Sequence, residues 1–463
     1  KTTNNLLFNA DAINQNTNTE NYTIYNHFNH TLQLTEKTVL NNYFYLGNDK
    51  INEKTNIVSP VLNNFLSINL NEIVNQNANN KLFFIGNKSK IISKFKKIDL
   101  TNTIQLEYSK EQFKNTFLGN NQSFASYQNN TNLHLTNLFQ ENTLRYNFSK
   151  KIDLTANLNF QNTIFNNNNI SKNIFFVNPS IFLNIKKTGF GNFSLSFSEN
   201  NTLPEINQLT TNYQLTDYRS FLQGTSYQNP LKNQTSSFNY SYYNDAKRFS
   251  INSSVFYTNS KFIFNTSSNL TNDFNFNSYI QTKGSESYNF NFSFVNYIRK
   301  LKLASKIETL NNWITTPINV NSTDFSNSKS YINSIKYSAT TYFKAPINFD
   351  FGFSYNYFQS YFQGIKTANI TKDYFLNINY KISQTILAES NNALYLVNNQ
   401  TYSFNNIVLS YTPKESKFSY RFMFNNLINE NQYTYILINN YSYYQSNIQL
   451  VPRYLLGTIK YRF

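Results

Sequence analysis

The chain ends Tyr454-Leu-Leu-Gly-Thr-Ile-Lys-Tyr-Arg-Phe463. In an extended strand, side chains alternate between two faces. Leu455, Gly457, Ile459, Tyr461 and Phe463 then share one face, and Tyr454, Leu456, Thr458, Lys460 and Arg462 the other. The first face is aliphatic and aromatic, and the second is mostly polar. This division suits a strand with hydrocarbon on one side and a wet lumen on the other, which is the pattern of a transmembrane β-barrel. Tyr461 and Phe463 form its barrel-terminal signature.

The same alternation recurs upstream. Phe349, Phe351, Phe353, Tyr355 and Tyr357 alternate with Asp350, Gly352, Ser354 and Asn356. Ile152, Leu154, Ala156, Leu158 and Phe160 alternate with Asp153, Thr155, Asn157 and Asn159. Tyr374, Leu376, Ile378 and Tyr380 repeat the pattern. These runs reach about ten residues, the length a tilted strand needs to cross a bilayer.

Composition narrows the class. The chain has 463 residues with 44 Phe and 36 Tyr, yet charged residues are only 14%. Mean hydropathy is −0.52, and no apolar run approaches the roughly 18 to 20 residues of a spanning helix. Abundant aromatics exclude a disordered chain. Cysteine is absent, which removes disulfides and thiolate chemistry. The chain starts at Lys1 without a signal segment and reads as a mature or truncated product.

The formal net charge of +16 does not point to nucleic acid, because the basic residues are dispersed. They punctuate the chain at Lys96-Lys97, Lys150-Lys151, Lys186-Lys187, Lys247-Arg248 and Arg299-Lys300. These are short turns. The connections between them, at 113–130, 199–232, 265–275, 312–328, 360–371 and 427–452, are rich in Asn, Ser and Thr and read as long loops. Short periplasmic turns and long outer loops are how such barrels are built. The reading is one all-β domain over 1–463, a transmembrane antiparallel β-barrel of about 22 strands, with 18–22 plausible. It places the protein in the outer membrane among lipid and lipopolysaccharide, with the C-terminus on the periplasmic side.

Two segments carry a family pattern. Pro204-Glu-Ile-Asn-Gln-Leu209, then Gly224 and Asn229-Pro230-Leu231, resemble a stretch of TonB-dependent outer-membrane receptors. Phe424-Asn-Asn-Leu-Ile-Asn429, Pro452-Arg453 and the final strand resemble the ending of the same family. The chain departs from the pattern at Gln228, where the family often has Gly, and it lacks a second Pro after Lys232. The resemblance implies uptake of a ligand across the outer membrane by a barrel working with a plug domain and a TonB-type energiser. Nothing in residues 1–130 reads as a plug. The alternative is a non-transporting structural or assembly subunit of an outer-membrane complex built on a receptor-type barrel. An extracellular lid lipoprotein or other outer-membrane subunits are the further partners this leaves open.

Candidate sites follow from residue chemistry. Asp99, Asp153 and Asp350 face the lumen just inside basic turns, where they could grip a plug or pair with nearby lysines. In the loop before the mid-chain motif's end, Tyr213, Asp217, Tyr218, Arg219 and Tyr227 mix charge and aromatic surface. In the last loop, Tyr433, Tyr435, Tyr441, Tyr443 and Tyr444 offer rings to a ligand or lie in an interfacial girdle. Trp313 reads as an interface anchor. His27 and His30 fall on opposite strand faces and His134 stands apart, so no metal site is expected. No cofactor and no catalytic constellation are expected, so the chain is not read as an enzyme.

Overall fold

A computed structural model describes residues 2–8, 11–120, 122–168, 170–226, 229–282, 284–322, 324–397, 400–438 and 443–462. Nearly all of it is antiparallel ladder. The N-terminal sector comprises β1 (Thr2–Phe8), β2 (Asp11–Thr35), β3 (Thr38–Val58), β4 (Val74–Lys94) and β5 (Ile98–Gly119). From β5 the wall continues through Asn129–Asn147, Ile152–Asn167, Ile170–Thr188 and Gly191–Thr202. It then runs neighbour to neighbour to Phe418–Asn425 and Tyr454–Tyr461. The sheet has 24 strands, of which four short ones belong to loops. Twenty therefore form the wall among the described residues, inside the expected range. At the seam, β1 covers Asp11–Thr17 of β2. Among the described residues Tyr454–Tyr461 pairs only with Phe418–Asn425.

The two faces of the wall are the inverse of a soluble sheet. On β5, Leu100, Ile104, Leu106 and Tyr108 point outward and are exposed, Leu106 to 56%. The opposite face carries Asp99, Thr101, Thr103, Gln105 and Glu107. Above Tyr108 the outward row turns polar, through Lys110, Gln112, Lys114 and Thr116. The inward row there buries Phe113, Asn115 and Phe117 under loops. The outward apolar stretch Ile98–Tyr108, tilted, gives a band about 25 Å tall, the thickness of a bilayer's hydrocarbon. Cross-strand register carries that band around the wall: Leu195↔Phe238, Phe351↔Leu376 and Phe422↔Gly457 are outward pairs.

Polar residues inside the outward band pair with one another. Asn102 Nδ2 donates to Asn142 Oδ1 at 2.6 Å, and Asn405 Nδ2 to Asn392 Oδ1 at 2.7 Å. Ser89 Oγ donates to Asn42 Oδ1 at 2.7 Å. An amide left unpaired in hydrocarbon would cost several kcal/mol, about what such pairing avoids.

The inner face is concave. A cavity of about 630 Å³ is lined by Asn184, Asn239, Asn252, Asn291, Glu308 and Lys336, drawn from successive wall strands. Strands sit about 4.8 Å apart, so one cavity can touch so many only if the wall curves tightly.

The structure corrects several loop assignments, among them 265–275, of which 265–270 end the strand Phe249–Leu270. Residues 312–328 and 360–371 belong almost wholly to hairpins, with strands ending at Val320 and Phe362 and resuming at Ser326 and Ile365. Residues 113–119 likewise continue β5. These segments stand at and above the rim of the band, where outward aromatic residues such as Trp313 and Tyr361 give way to polar ones. Their backbone still gains from the ladder, so hydrogen bonding extends where hydropathy stops.

Candidate functional site

The site is built from two parts, an aromatic inner wall and a set of loops docked above it. The wall part depends on glycine. Register places Gly47 opposite Phe84, and Tyr45 opposite Gly86. The Phe84 ring lies over Gly47 and the Tyr45 ring over Gly86, each inside van der Waals contact of where a Cβ would stand. Each ring thus lies flat on its neighbour strand instead of projecting inward, and Tyr45 is only 7% exposed. Tyr25, His27 and Tyr43 extend this surface, with centroid separations of 5.4 to 6.2 Å. Tyr45 donates its hydroxyl proton to Glu107 and accepts from Gln105 Nε2 at 2.8 Å. The Tyr25 and Tyr43 hydroxyls bond each other.

The loop part explains the mid-chain motif. After Pro204, a short 3-10 turn over Ile206–Leu209 is held by a capping box between Glu205 and Gln208. Ile206 and Leu209 insert against Phe113, Leu133 and Phe165 of the wall. Gly224 donates its N–H to Thr210 Oγ1 at 3.0 Å. A Cβ there would meet Thr210 N at 2.5 Å, so the position takes glycine.

Side-chain amides then fasten this loop by imitating β-bridges. Gln76 Nε2 donates to Leu215 O at 2.6 Å, and Leu215 N–H donates to Gln76 Oε1 at 2.9 Å. Asn129 clamps Asn212 in the same two-way fashion, at 3.0 and 2.9 Å. Gln281 clamps Asn229 at 2.6 and 2.9 Å. The C-terminal motif works alike. Asn426, in the left-handed region at φ 53°, donates to Glu430 O and Val451 O and accepts from Glu430 N–H, which ties the two ends of the last loop together. Asn429 accepts from Arg453 N–H at 3.0 Å. Both family-like motifs are therefore loop anchors. Sequence reasoning missed the amides because Asn is too common in this chain to stand out.

Four loops meet in one apolar cap. Leu62 and Leu66, Phe117, Leu215, Phe221 and Phe274 are buried together. Leu62 and Leu66 come from the helical segment after β3, which begins with Ser59 accepting the Leu62 N–H at 3.3 Å and Pro60 in its first turn.

Glu111 lies at the edge of the loop dock. Burial raises its pKa above the usual carboxylate range, opposed by a 2.8 Å hydrogen bond from Asn80 and reinforced by Glu205 at the start of the docked loop. A carboxyl that is harder to ionise when docked favours docking at low pH. The favourable contribution is complete below the free carboxyl value of about 4.3 and is lost as pH rises through the raised value. Protease cleavage within 203–224 is accordingly expected to be faster at alkaline than at acid pH. Glu111→Gln should flatten that dependence, and an unchanged slope in the variant would refute it.

The residues singled out from sequence fall into distinct settings. Tyr213 is not a free surface ring: it packs on Phe276 at 5.5 Å and Phe221 at 6.4 Å within the cap. Tyr218 packs against the same cluster. Arg219 donates its N–H to Asp217 Oδ1 at 2.9 Å and its guanidinium to Asn272 O at 3.5 Å. Tyr433 packs on Tyr402 at 5.0 Å. Tyr435, Tyr443 and Tyr444 lie in the hairpin Gln432–Ile438 with Tyr443–Gln449. Tyr227, Tyr441 and Phe463 lie outside the described residues. Tyr461 is outward, with Phe418 at 4.9 Å and Lys417 at 5.7 Å. Trp313 is exposed on the outer face against Tyr331 at 5.3 Å.

The three aspartates differ from one another. Asp153 is buried and pairs with Lys186 at 3.0 Å and Arg145 at 3.7 Å, not with Lys150 or Lys151. Asp350 accepts from Thr340 at 2.9 Å and Asn377 at 3.3 Å, not from Lys344. Asp99 lies opposite Lys94 and Arg145 in register. His27 faces in beside Tyr25 and Tyr43. His134 bonds the Tyr108 hydroxyl at 3.0 Å on the outer face. Among the described residues no cluster of three metal-ligating side chains occurs.

No family model matches the sequence, and no curated protein does. Several solved structures do. The pyoverdine outer membrane receptor FpvA of Pseudomonas aeruginosa PAO1 is 11% identical with a TM-score of 0.49, over 98% of this chain and 62% of that one. The FrpB iron transporter of Neisseria meningitidis is 12% identical at 0.45, over 98% and 73%. The siderophore receptor PirA of P. aeruginosa is 10% identical at 0.38, over 98% and 77%. Likeness of this order leaves ligand and mechanism to the chemistry of the chain itself.

Proposed function

We propose that this chain is the wall of an outer-membrane receptor of the TonB-dependent kind. It captures a ligand under extracellular loops and passes it down a polar lumen, in concert with a plug and an energiser. The supporting observation is the inverted wall: an outward apolar band about 25 Å tall, with amides, carboxylates and hydroxyls inside. The loops fold onto one end of that wall, which suits a gated mouth better than an open pore. The chain does no chemistry in this reading; it supplies position and polarity.

The test uses the full-length protein in a Gram-negative host. It is expected in outer-membrane fractions, extracted only by detergent, with ligand accumulation abolished by a protonophore. A monodisperse protein in detergent-free buffer would overturn the assignment. So would the steady conductance of an open pore in planar bilayers.

A further inference from the structure

We propose that the inner wall from β4 to the strand Ile152–Asn167 holds a neutral, polyhydroxylated ring, that is, one sugar unit of an oligosaccharide. The assignment rests on the receptor reading above and names its ligand class. Register sets one lateral row as Tyr43, Lys88, Gln105, Phe139 and Gln161, all facing in. The next row is Tyr45, Gly86, Glu107, Asn137 and Thr163. In the first row Phe139 stands between Gln105 and Gln161, so an aromatic ring lies among amides in one wall. Gln105, which bonds Tyr45, also lines a cavity of about 390 Å³ with Lys88, Asn137, Glu141, Asn159 and Gln161. That volume lies in the range of small-molecule sites.

The chemistry selects the ligand. A pyranose offers an apolar C–H face, which covers an aromatic surface, and a rim of hydroxyls that both donate and accept. Planar amides and carboxylates match such a rim in pairs. Asn137 and Gln161 are already oriented, with Thr163 Oγ1 donating to Asn137 at 2.6 Å and Gln161 Nε2 donating to Thr163 at 2.9 Å. Asn159 Oδ1 is buried without a hydrogen-bond partner, an acceptor that a ligand hydroxyl would satisfy. The lining holds one cation, Lys88, and one carboxylate, Glu141, so its formal charges balance, and Glu107 is not part of it. No excess of either sign is left to collect an anion or a cation. The end of the strand Gly191–Thr202 and Leu203 close the upper side, so the docked loop is also the roof.

The experiment is calorimetric titration of the full-length protein in detergent micelles with linear oligosaccharides of glucose, mannose, galactose and xylose. At least one is expected to bind, and Asn159→Ala and Gln161→Ala should each weaken it about tenfold, the loss of one good hydrogen bond. Asn405→Ala, on the outer face, should leave binding unchanged. Heat-modifiable migration on gels confirms that each variant is folded. The proposal is overturned if none of the four binds, or if binding survives both inner-wall substitutions. A protein that imports some other ligand from the outer membrane and binds none of these would refute the sugar assignment alone. A protein stable without detergent would refute the receptor reading beneath it.

Discussion

Gly86→Val is expected to abolish assembly of the N-terminal wall, whereas Gly457→Ala should be silent. At Gly86 an added Cβ falls inside the Tyr45 ring, with the nearest ring carbons and hydroxyl all under 3 Å. The ring cannot stay, and leaving breaks its bonds to Glu107 and Gln105. Overpacking of this kind costs about 1 to 3 kcal/mol. The half-buried Glu107 carboxylate loses one donor as well, which adds about 1 kcal/mol. Gly47→Val should behave likewise through Phe84, and Gly352→Val through Phe375, its cross-strand partner. Gly457 is the control, because its nearest neighbour is Phe422 at 3.8 Å, ordinary contact. The readout is the fraction of heat-modifiable protein after refolding. Gly86→Val with Tyr45→Ala should recover part of the loss, since the second change removes the colliding ring. If Gly86→Val refolds as well as the parent, the flat-ring packing is not what holds β3 to β4.

The fold was legible because hydrocarbon imposes a period-two pattern that survives unusual composition. Leu455, Gly457, Ile459 and Tyr461 do share one outward face, paired with Phe424, Phe422, Tyr420 and Phe418. Asp153 and Asp350 do face inward. Their partners were not legible, because a turn lysine close in sequence can be farther in space than a residue one strand away. Lys186 reaches Asp153 because Asn184 lies opposite it, a fact of register and not of spacing. The loop tyrosines misled in a different way. Tyr213 looked like ligand-facing surface because polarity surrounds it in sequence. Its ring instead completes a core assembled from four loops, which no local pattern encodes. The amide clamps were hidden by abundance. Gln76, Asn129, Gln281 and Asn426 differ from dozens of other amides only in what stands opposite them.

Phe221→Ala should open the loop cap while leaving the wall assembled. Phe221 is fully buried, stacked on Phe276 at 5.1 Å with an interplanar angle of 6°. It also touches Tyr127 at 5.1 Å and Phe274 at 5.8 Å, so it joins three separate loops. Truncating such a ring costs about 3 to 5 kcal/mol. Each two-way amide clamp contributes about 2 kcal/mol by comparison, at about 1 kcal/mol per hydrogen bond, so no single clamp matches the ring. The cap's apolar centre is therefore the latch, and Gln76, Asn129 and Gln281 set where it lands. Limited proteolysis should show cleavage within 203–230 rising steeply in Phe221→Ala, and only modestly in Gln76→Ala. Heat-modifiable migration should be unchanged in both, because the wall ladder does not pass through Phe221. Equal sensitivity of the two variants would mean that the amides, not the rings, hold the mouth closed. Loss of the folded band in Phe221→Ala would mean that cap and wall form a single cooperative unit. The separation matters for the receptor proposed above, in which a mouth that opens without unfolding the wall would let loops capture a ligand and release it inward.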